Sequence, residues 1–386
     1  MPARRGLRAI ATVVIAAAVL AIIVAPYARS AAFIADLAGV SGWWRPLLLA
    51  RTHAVATQDL SIPTRHGQVH ARLYEPDTAP LGSLIVFPGV HAGGVDEPRL
   101  VMFARRLAAS GARVVTVPLP DLRVYRLTTA STDVIEDSVQ WMTGEPRLAP
   151  ERRVGVVGVS FAGGLALVAA GRPSLRGKVT LVVSLGGHAD LPRVMTYLCT
   201  GRLPDGTLRP PHDYAVVVVL LASLSKLAPP AQVPNLERAI LTFLDASSYA
   251  EMDPERAAQL LAETRRQADT LSEPSRTIMA EVMARDARAV GARILPFIEE
   301  LGGAAALSPA RSLPTLAPVF LLHGVDDNVI PSSETPLAAR YLESHGNLRV
   351  RWLLTPLVSH ANLAASPSVG DTWRLVQFWT AMLRTN

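Results

Sequence analysis

The chain of 386 residues is 49% hydrophobic and only 18% charged, which excludes intrinsic disorder and leaves room for one large α/β domain with an insertion. Its net charge of +6 comes from scattered arginines with no basic stripe interleaved with aromatics, so nucleic acid is not an expected partner. The single cysteine, Cys199, excludes an internal disulfide and a CxxC metal site and leaves the redox compartment open.

The N-terminus, MPARRGLR, places Arg4, Arg5 and Arg8 before the uncharged run from Ala9 to Pro26. A run of that length is enough to span a bilayer, so residues 1–30 read as a transmembrane anchor or signal segment. Ala28-Arg29-Ser30 offers a small-x-small cleavage site, but the apolar stretch exceeds the usual signal-peptide core, which favours retention. The expectation is a membrane-anchored protein with its domain outside and membrane lipid as a partner; the alternative is secretion after cleavage. Residues 31–56 read as an amphipathic linker, with Trp43, Trp44 and Arg45 suited to the headgroup layer or to a helix packed on the domain.

Residues 57–75 then predict two strands joined at His66-Gly67, and 81–89 a short buried strand ending in Pro-Gly. An amphipathic helix over 97–111 closing at Gly111 leads to a strand at 112–120, a helix at 128–142, a strand at 152–159, a helix at 161–171 and a strand at 178–187. Helical signals dominate from 188 to 312, where the apolar run at 214–224 is too short to cross a membrane and is assigned to the interior of the insertion. A strand at 316–324, a helix at 336–346, a strand at 347–356 and a helix at 371–384 complete the chain. Continuous apolar strands alternating with helices predict an α/β fold with a mostly parallel sheet flanked by helices. The division is a core at 57–187 and 313–386 with a helical cap insertion at 188–312.

In such a sheet chemistry gathers at the carboxyl ends of the strands. Those loops deliver Gly89, Val90 and His91; then Ser160; then Asp326 and Asp327; and finally His360. Of the other histidines, His53, His66, His70 and His345 fall in linker, hairpin or surface-helix contexts, and His323 precedes the acid loop, where a structural hydrogen bond is expected. His91 and His188 border the predicted cleft and are candidate substrate contacts. A second Gly-x-Ser, at Ser41, is followed two residues later by Trp43, too large for a tight strand-to-helix turn. Around Ser160, Gly158 and Ala162 supply the small residues that such a turn needs.

GVSFAGG (158–164), HGVDDNVIP (323–331) and VSHAN (358–362) together resemble the α/β-hydrolase superfamily over residues 57–386, in its chain order of serine, acid and histidine. The resemblance implies that Ser160 is a nucleophile, His360 its general base and Asp327 the acid that orients the base, counted four residues before Pro331; the adjacent Asp326 is the alternative. It also implies an oxyanion hole from the N–H groups of Phe161 and of Val90 or His91. Two departures stand out: Pro88-Gly89 replaces the His-Gly of many relatives, and Ala162 replaces the commoner glycine. The implied activity is carboxylic ester hydrolysis through an acyl-enzyme, of hydrophobic small-molecule substrates at a membrane, without metal or cofactor. Thioesterase, acyltransferase and peptidase activities use the same residues, and an inactive hydrolase-like binding protein remains an alternative of another class. Acyl and alcohol specificity and oligomeric state are not legible.

Overall fold

The computed structural model describes residues 23–39, 42–43, 45–46, 52–250, 253–358 and 368–385. Eight strands form one sheet: β1 (Val55–Thr64), β2 (Gly67–Pro76), β3 (Ser83–Phe87), β4 (Arg113–Thr116), β5 (Val154–Val159), β6 (Val179–Leu185), β7 (Val319–Gly324) and β8 (Val350–Thr355), in the order β1-β2-β4-β3-β5-β6-β7-β8. β1 and β2 form an antiparallel hairpin whose turn runs through Gly67 at φ +107°, and β2 pairs antiparallel with β4. From β4 to β8 every pairing is parallel.

The central strands read as continuous apolar runs because both of their faces are covered. In β3, Ile85 and Phe87 point to one face and Leu84 and Val86 to the other, and these sets belong to two separate hydrophobic clusters. The second face is covered by α1 (residues 23–37), α2 (Pro98–Ala109) and the last helix; the first by α3 (Ala130–Gly144) and α4 (Phe161–Gly171). α2 starts where Glu97 accepts the Leu100 N–H at 2.6 Å, with Pro98 at the first helical position, and stops at Gly111, φ +103°.

Between β6 and β7 run α5 (Leu191–Thr200), α6 (Asp213–Leu227), α7 (Val233–Tyr249), α8 (Pro254–Asp269), α9 (Ser275–Met283) and α10 (Ala287–Ile294); α11 (Glu334–Ser344) and α12 (Val369–Leu383) belong to the core. The valine-rich α6 is interior: Val216, Val219 and Leu220 are fully buried and join Leu236, Ile240, Ile278 and Ile294 in the cluster that continues into the first face of the sheet. Cap and domain therefore share one hydrophobic core.

The N-terminal region departs from the sequence expectation. Among the described residues no helix is long and apolar enough to cross a membrane, so the transmembrane and membrane assignments, and with them the lipid partner, are not supported. Most of the apolar run, residues 9–22, lies outside the described residues. Its described end enters α1, which crosses the expected boundary at residue 30 between anchor and linker and packs on the domain. Phe33 meets the Trp379 ring edge-on at 4.9 Å and Phe103 at 6.2 Å, and Tyr27 stacks on Trp373 at 5.6 Å. Ser30, the last residue of the expected cleavage site, is fully buried and accepts a 2.9 Å hydrogen bond from the Thr380 hydroxyl. Arg106 of α2 reaches Asp36 at 3.2 Å and the Leu37 carbonyl at 3.1 Å. Beyond the apolar run, Tyr27, Phe33 and Ile34 of α1 pack with residues of α2 and α12, whereas Ile23 and Val24 at its described end are exposed.

Because Phe33 is 2% exposed between two aromatic partners, Phe33→Ala should cost about 3–5 kcal/mol of unfolding free energy in urea titration, the cost of emptying a well-packed aromatic site. Trp43→Ala, at an 85% exposed position, should cost little.

Candidate active site

Ser160 lies between β5 and α4 at φ 55° and ψ −132°, a conformation that a side-chain-bearing residue adopts at a cost of about 1–3 kcal/mol. The surroundings enforce it. Its N–H donates to Leu185 O at 2.7 Å, tying it to the end of β6, and its carbonyl accepts the Gly163 N–H at 2.8 Å. A Cβ at Gly158 would overlap the Ala162 carbonyl, and one at Gly163 would run into the Ser184 side chain, so β5, α4 and β6 meet only because these positions are glycine. Ala162, where glycine is commoner, is fully buried and fits.

The loop after β3 passes directly over this corner. A Cβ at Gly89 would stand 2.8 Å from Ser160 Cβ and 3.3 Å from its Oγ. Val90 follows Gly89, and Phe161 opens α4, where a backbone N–H has no acceptor within the helix. The loops that carry Val90 and Phe161 thus flank Ser160.

After β7 the chain turns through the two aspartates, and their environments differ. Asp326 is exposed. Asp327 is 2% exposed; its Oδ1 accepts the N–H groups of Val329 at 2.9 Å and Ile330 at 3.0 Å. Its Oδ2 lies 3.3 Å from His323 Nε2. Gly186, which follows β6 at φ +64°, faces this carboxylate: a Cβ there would lie 3.6 Å from Oδ2. Ser160 and Asp327 therefore stand on opposite sides of the end of β6. A tight turn at Ser160 between β5 and α4, and a mostly parallel sheet with β3 inserted between β4 and β5, decide the fold.

The chain has the α/β-hydrolase fold. No protein-family model matches its sequence, and no curated protein matches it. Among solved structures it is similar to an esterase from Pyrobaculum calidifontis, at 19% identity and TM-score 0.49 over 88% of this chain and 87% of that one. It is also similar to a thermostable carboxylesterase from a metagenomic library, at 18% identity and TM-score 0.45 over 87% of this chain and 92% of that one. Likeness to an acylaminoacyl peptidase of Pyrococcus horikoshii, at 12% identity and TM-score 0.44, covers 89% of this chain and 43% of that one. Likeness at this level says nothing of the reaction, which is read from the site.

His360 lies outside the described residues. His323 is fully buried: its Nδ1 is 2.8 Å from the Thr335 hydroxyl and its Nε2 is 2.9 Å from Ile330 O. Since a carbonyl only accepts, Nε2 carries the proton, which makes His323 a brace of the acid loop. His188 is also buried, directly over Gly164 and against the Phe161 ring at 5.8 Å, and its Nε2 donates to Leu307 O at 2.7 Å. That burial makes it a packing residue of the cap junction with no solvent-facing edge for a substrate. His91 accepts the Gly93 N–H on Nδ1 at 3.0 Å, so its buried Nε2 carries a proton for which the described residues provide no acceptor. The close approach of Gly89 to Ser160 and of Gly186 to Asp327 was missed in the sequence, where its only trace is a glycine one or two residues after a strand.

Burial, which opposes charging the ring, holds the His188 pKa below its ordinary value near 6.5. A histidine whose folded pKa is lowered contributes stability that is full above the unfolded pKa and lost as pH falls from there through the folded value. His91, lowered in the same direction chiefly by burial, adds to this trend. Wild type should therefore lose stability in urea between pH 7 and pH 5 more steeply than His188→Gln, whose amide retains a donor for Leu307 O; equal slopes would remove His188 as the cause.

Proposed function

We propose that this α/β-hydrolase cleaves carboxylic esters through an acyl-enzyme, with Ser160 as nucleophile, His360 as general base and Asp327 as the orienting acid. The observation that carries the reading is Ser160 itself: a serine held at positive φ, with the glycine loop crossing over its Oγ, in a position that packing alone has no reason to give a hydroxyl. In the reaction His360 takes the hydroxyl proton as Oγ attacks the ester carbonyl, and the N–H groups of Val90 and Phe161 receive the developing oxyanion. His360 then protonates the leaving alcohol, and water repeats the cycle on the acyl-serine. Asp327 is favoured over Asp326 because its carboxylate is buried and fixed by two backbone N–H groups, whereas Asp326 is exposed. The apolar residues of α6 lie in the shared core, as the sequence leads one to expect, and carry no argument for a hydrophobic substrate.

A fluorophosphonate probe should label folded wild type and lose the label in Ser160→Ala. Absence of labelling in folded wild type would favour a binding protein. A panel of p-nitrophenyl esters, thioesters and anilides of graded chain length then separates esterase from thioesterase and peptidase activity, with the esters expected to turn over fastest.

Asp327→Asn should lower kcat by roughly 10⁴-fold, as loss of the orienting acid does in another triad enzyme. Asp326→Asn should leave kcat within about a factor of three, as expected of an exposed side chain away from the reacting atoms. The reverse order of losses would move the acid to Asp326.

A further inference from the structure

Between α5 and α6 the cap chain doubles back over residues 201–212, pinned by the pairing of Arg202 with Leu208 and by the Arg209 N–H donating to Gly201 O at 2.8 Å. This strap reaches out of the cap to the acid loop of the core. Arg209 Nη1 donates to Val325 O at 3.1 Å. The His212 N–H donates to Asn328 O at 2.8 Å, and Tyr197 Oη of α5 donates to the same carbonyl at 3.3 Å. Val325 and Asn328 are the residues on either side of Asp326-Asp327, so the cap holds both ends of the acid dipeptide by their carbonyl oxygens. The core holds its far side, through the Val329 and Ile330 N–H groups on Asp327 and the Ser332 hydroxyl on Val325 O at 3.1 Å. Tyr197 is 1% exposed, and burial above all pushes its hydroxyl up to about 12, which keeps it a neutral donor at any working pH.

We propose that Arg209 and Tyr197 are positioning residues: seated on the core, the cap strap fixes the acid loop so that Asp327 can orient the base. The inference rests on the reading of Asp327 as the orienting acid. Its physical basis is that the two lone pairs of Asn328 O are matched by two cap donors, so a cap lifted from the core leaves that end of the loop to water. A misplacement on the order of 1 Å is enough to cost a large factor in rate. Cap seating and acid orientation thereby become one event.

The test uses full-length Arg209→Met, Arg209→Lys, Tyr197→Phe and the Arg209→Met/Tyr197→Phe double variant. Backbone hydrogen exchange is followed by mass spectrometry, and kcat and KM are measured on p-nitrophenyl butyrate. Exchange at Val329 and Ile330 should accelerate in the double variant by roughly 10-fold while β5 stays protected, and kcat should fall about 10-fold with KM held, the scale of one or two lost hydrogen bonds. Arg209→Lys, which retains a donor, should recover part of both. Unchanged exchange over 325–330 and unchanged kcat in the double variant would overturn the proposal, as would losses in kcat that track only the folded fraction. Faster exchange in the variants of a wild type that neither labels at Ser160 nor turns over ester would overturn the catalytic role and the esterase reading together, leaving a purely structural clamp.

Discussion

Everything at the candidate site depends on how closely three backbones approach at the top of the sheet. β5, the start of α4 and the end of β6 meet where Gly158 and Gly163 have no side chain to give, and the Ser160 N–H is captured by Leu185 O from the neighbouring strand. The strained backbone of Ser160 is the consequence: with both flanks fixed, the chain passes from strand to helix in that space only with this residue at positive φ. A strain on the order of 1–3 kcal/mol is small beside the burial of the surrounding valines, so the fold sustains it. The same crowding brings Gly89 over Ser160, so the candidate oxyanion donors are set by the packing of β3 and β5.

The parallel sheet was legible because its signals are local and redundant. Each central strand is a mostly apolar run, and each loop carrying a candidate residue follows such a run, so strand order and loop order could be read together. The two aspartates show where that legibility ends. In sequence they are neighbours of identical chemistry, two and three residues after Gly324, and nothing in the residue types says which one turns inward. What separates them is local geometry: a turn through Asn328 that presents two N–H groups to Asp327 and turns Asp326 to solvent.

The packing of α1 and the burial of His188 were hidden from the sequence for a different reason. An apolar stretch has no marker that says what covers it, and for α1 the covering residues are at the other end of the chain: Ser30 bonds Thr380, and Phe33 packs on Trp379. His188 likewise borders the cleft in sequence order but is buried by Leu307, a residue of the far end of the cap. Long-range partners of this kind leave no periodicity to detect.

The junction between cap and core rests on a buried carboxylate. Glu334, at the start of α11, is 1% exposed; its Oε2 accepts the N–H groups of Ala189 and Asp190 at 2.8 and 3.0 Å, and Arg193 grips both of its oxygens at 2.6 and 2.9 Å. Asp190 in turn holds Arg311 at 2.6 Å, so the two ends of the cap insertion close on one point. Such a cluster adds little net stability over an apolar replacement, because taking the charges out of water offsets most of their attraction. Its effect is on geometry, since four directional bonds to one carboxylate admit a single seating of the chain where it leaves β6. The acid loop lies between β7 and Glu334 and so inherits that seating at one end, while the cap strap at Val325 and Asn328 holds it from above. The placement of Asp327 thus follows from the way the cap is joined to the domain as much as from the strand that delivers it.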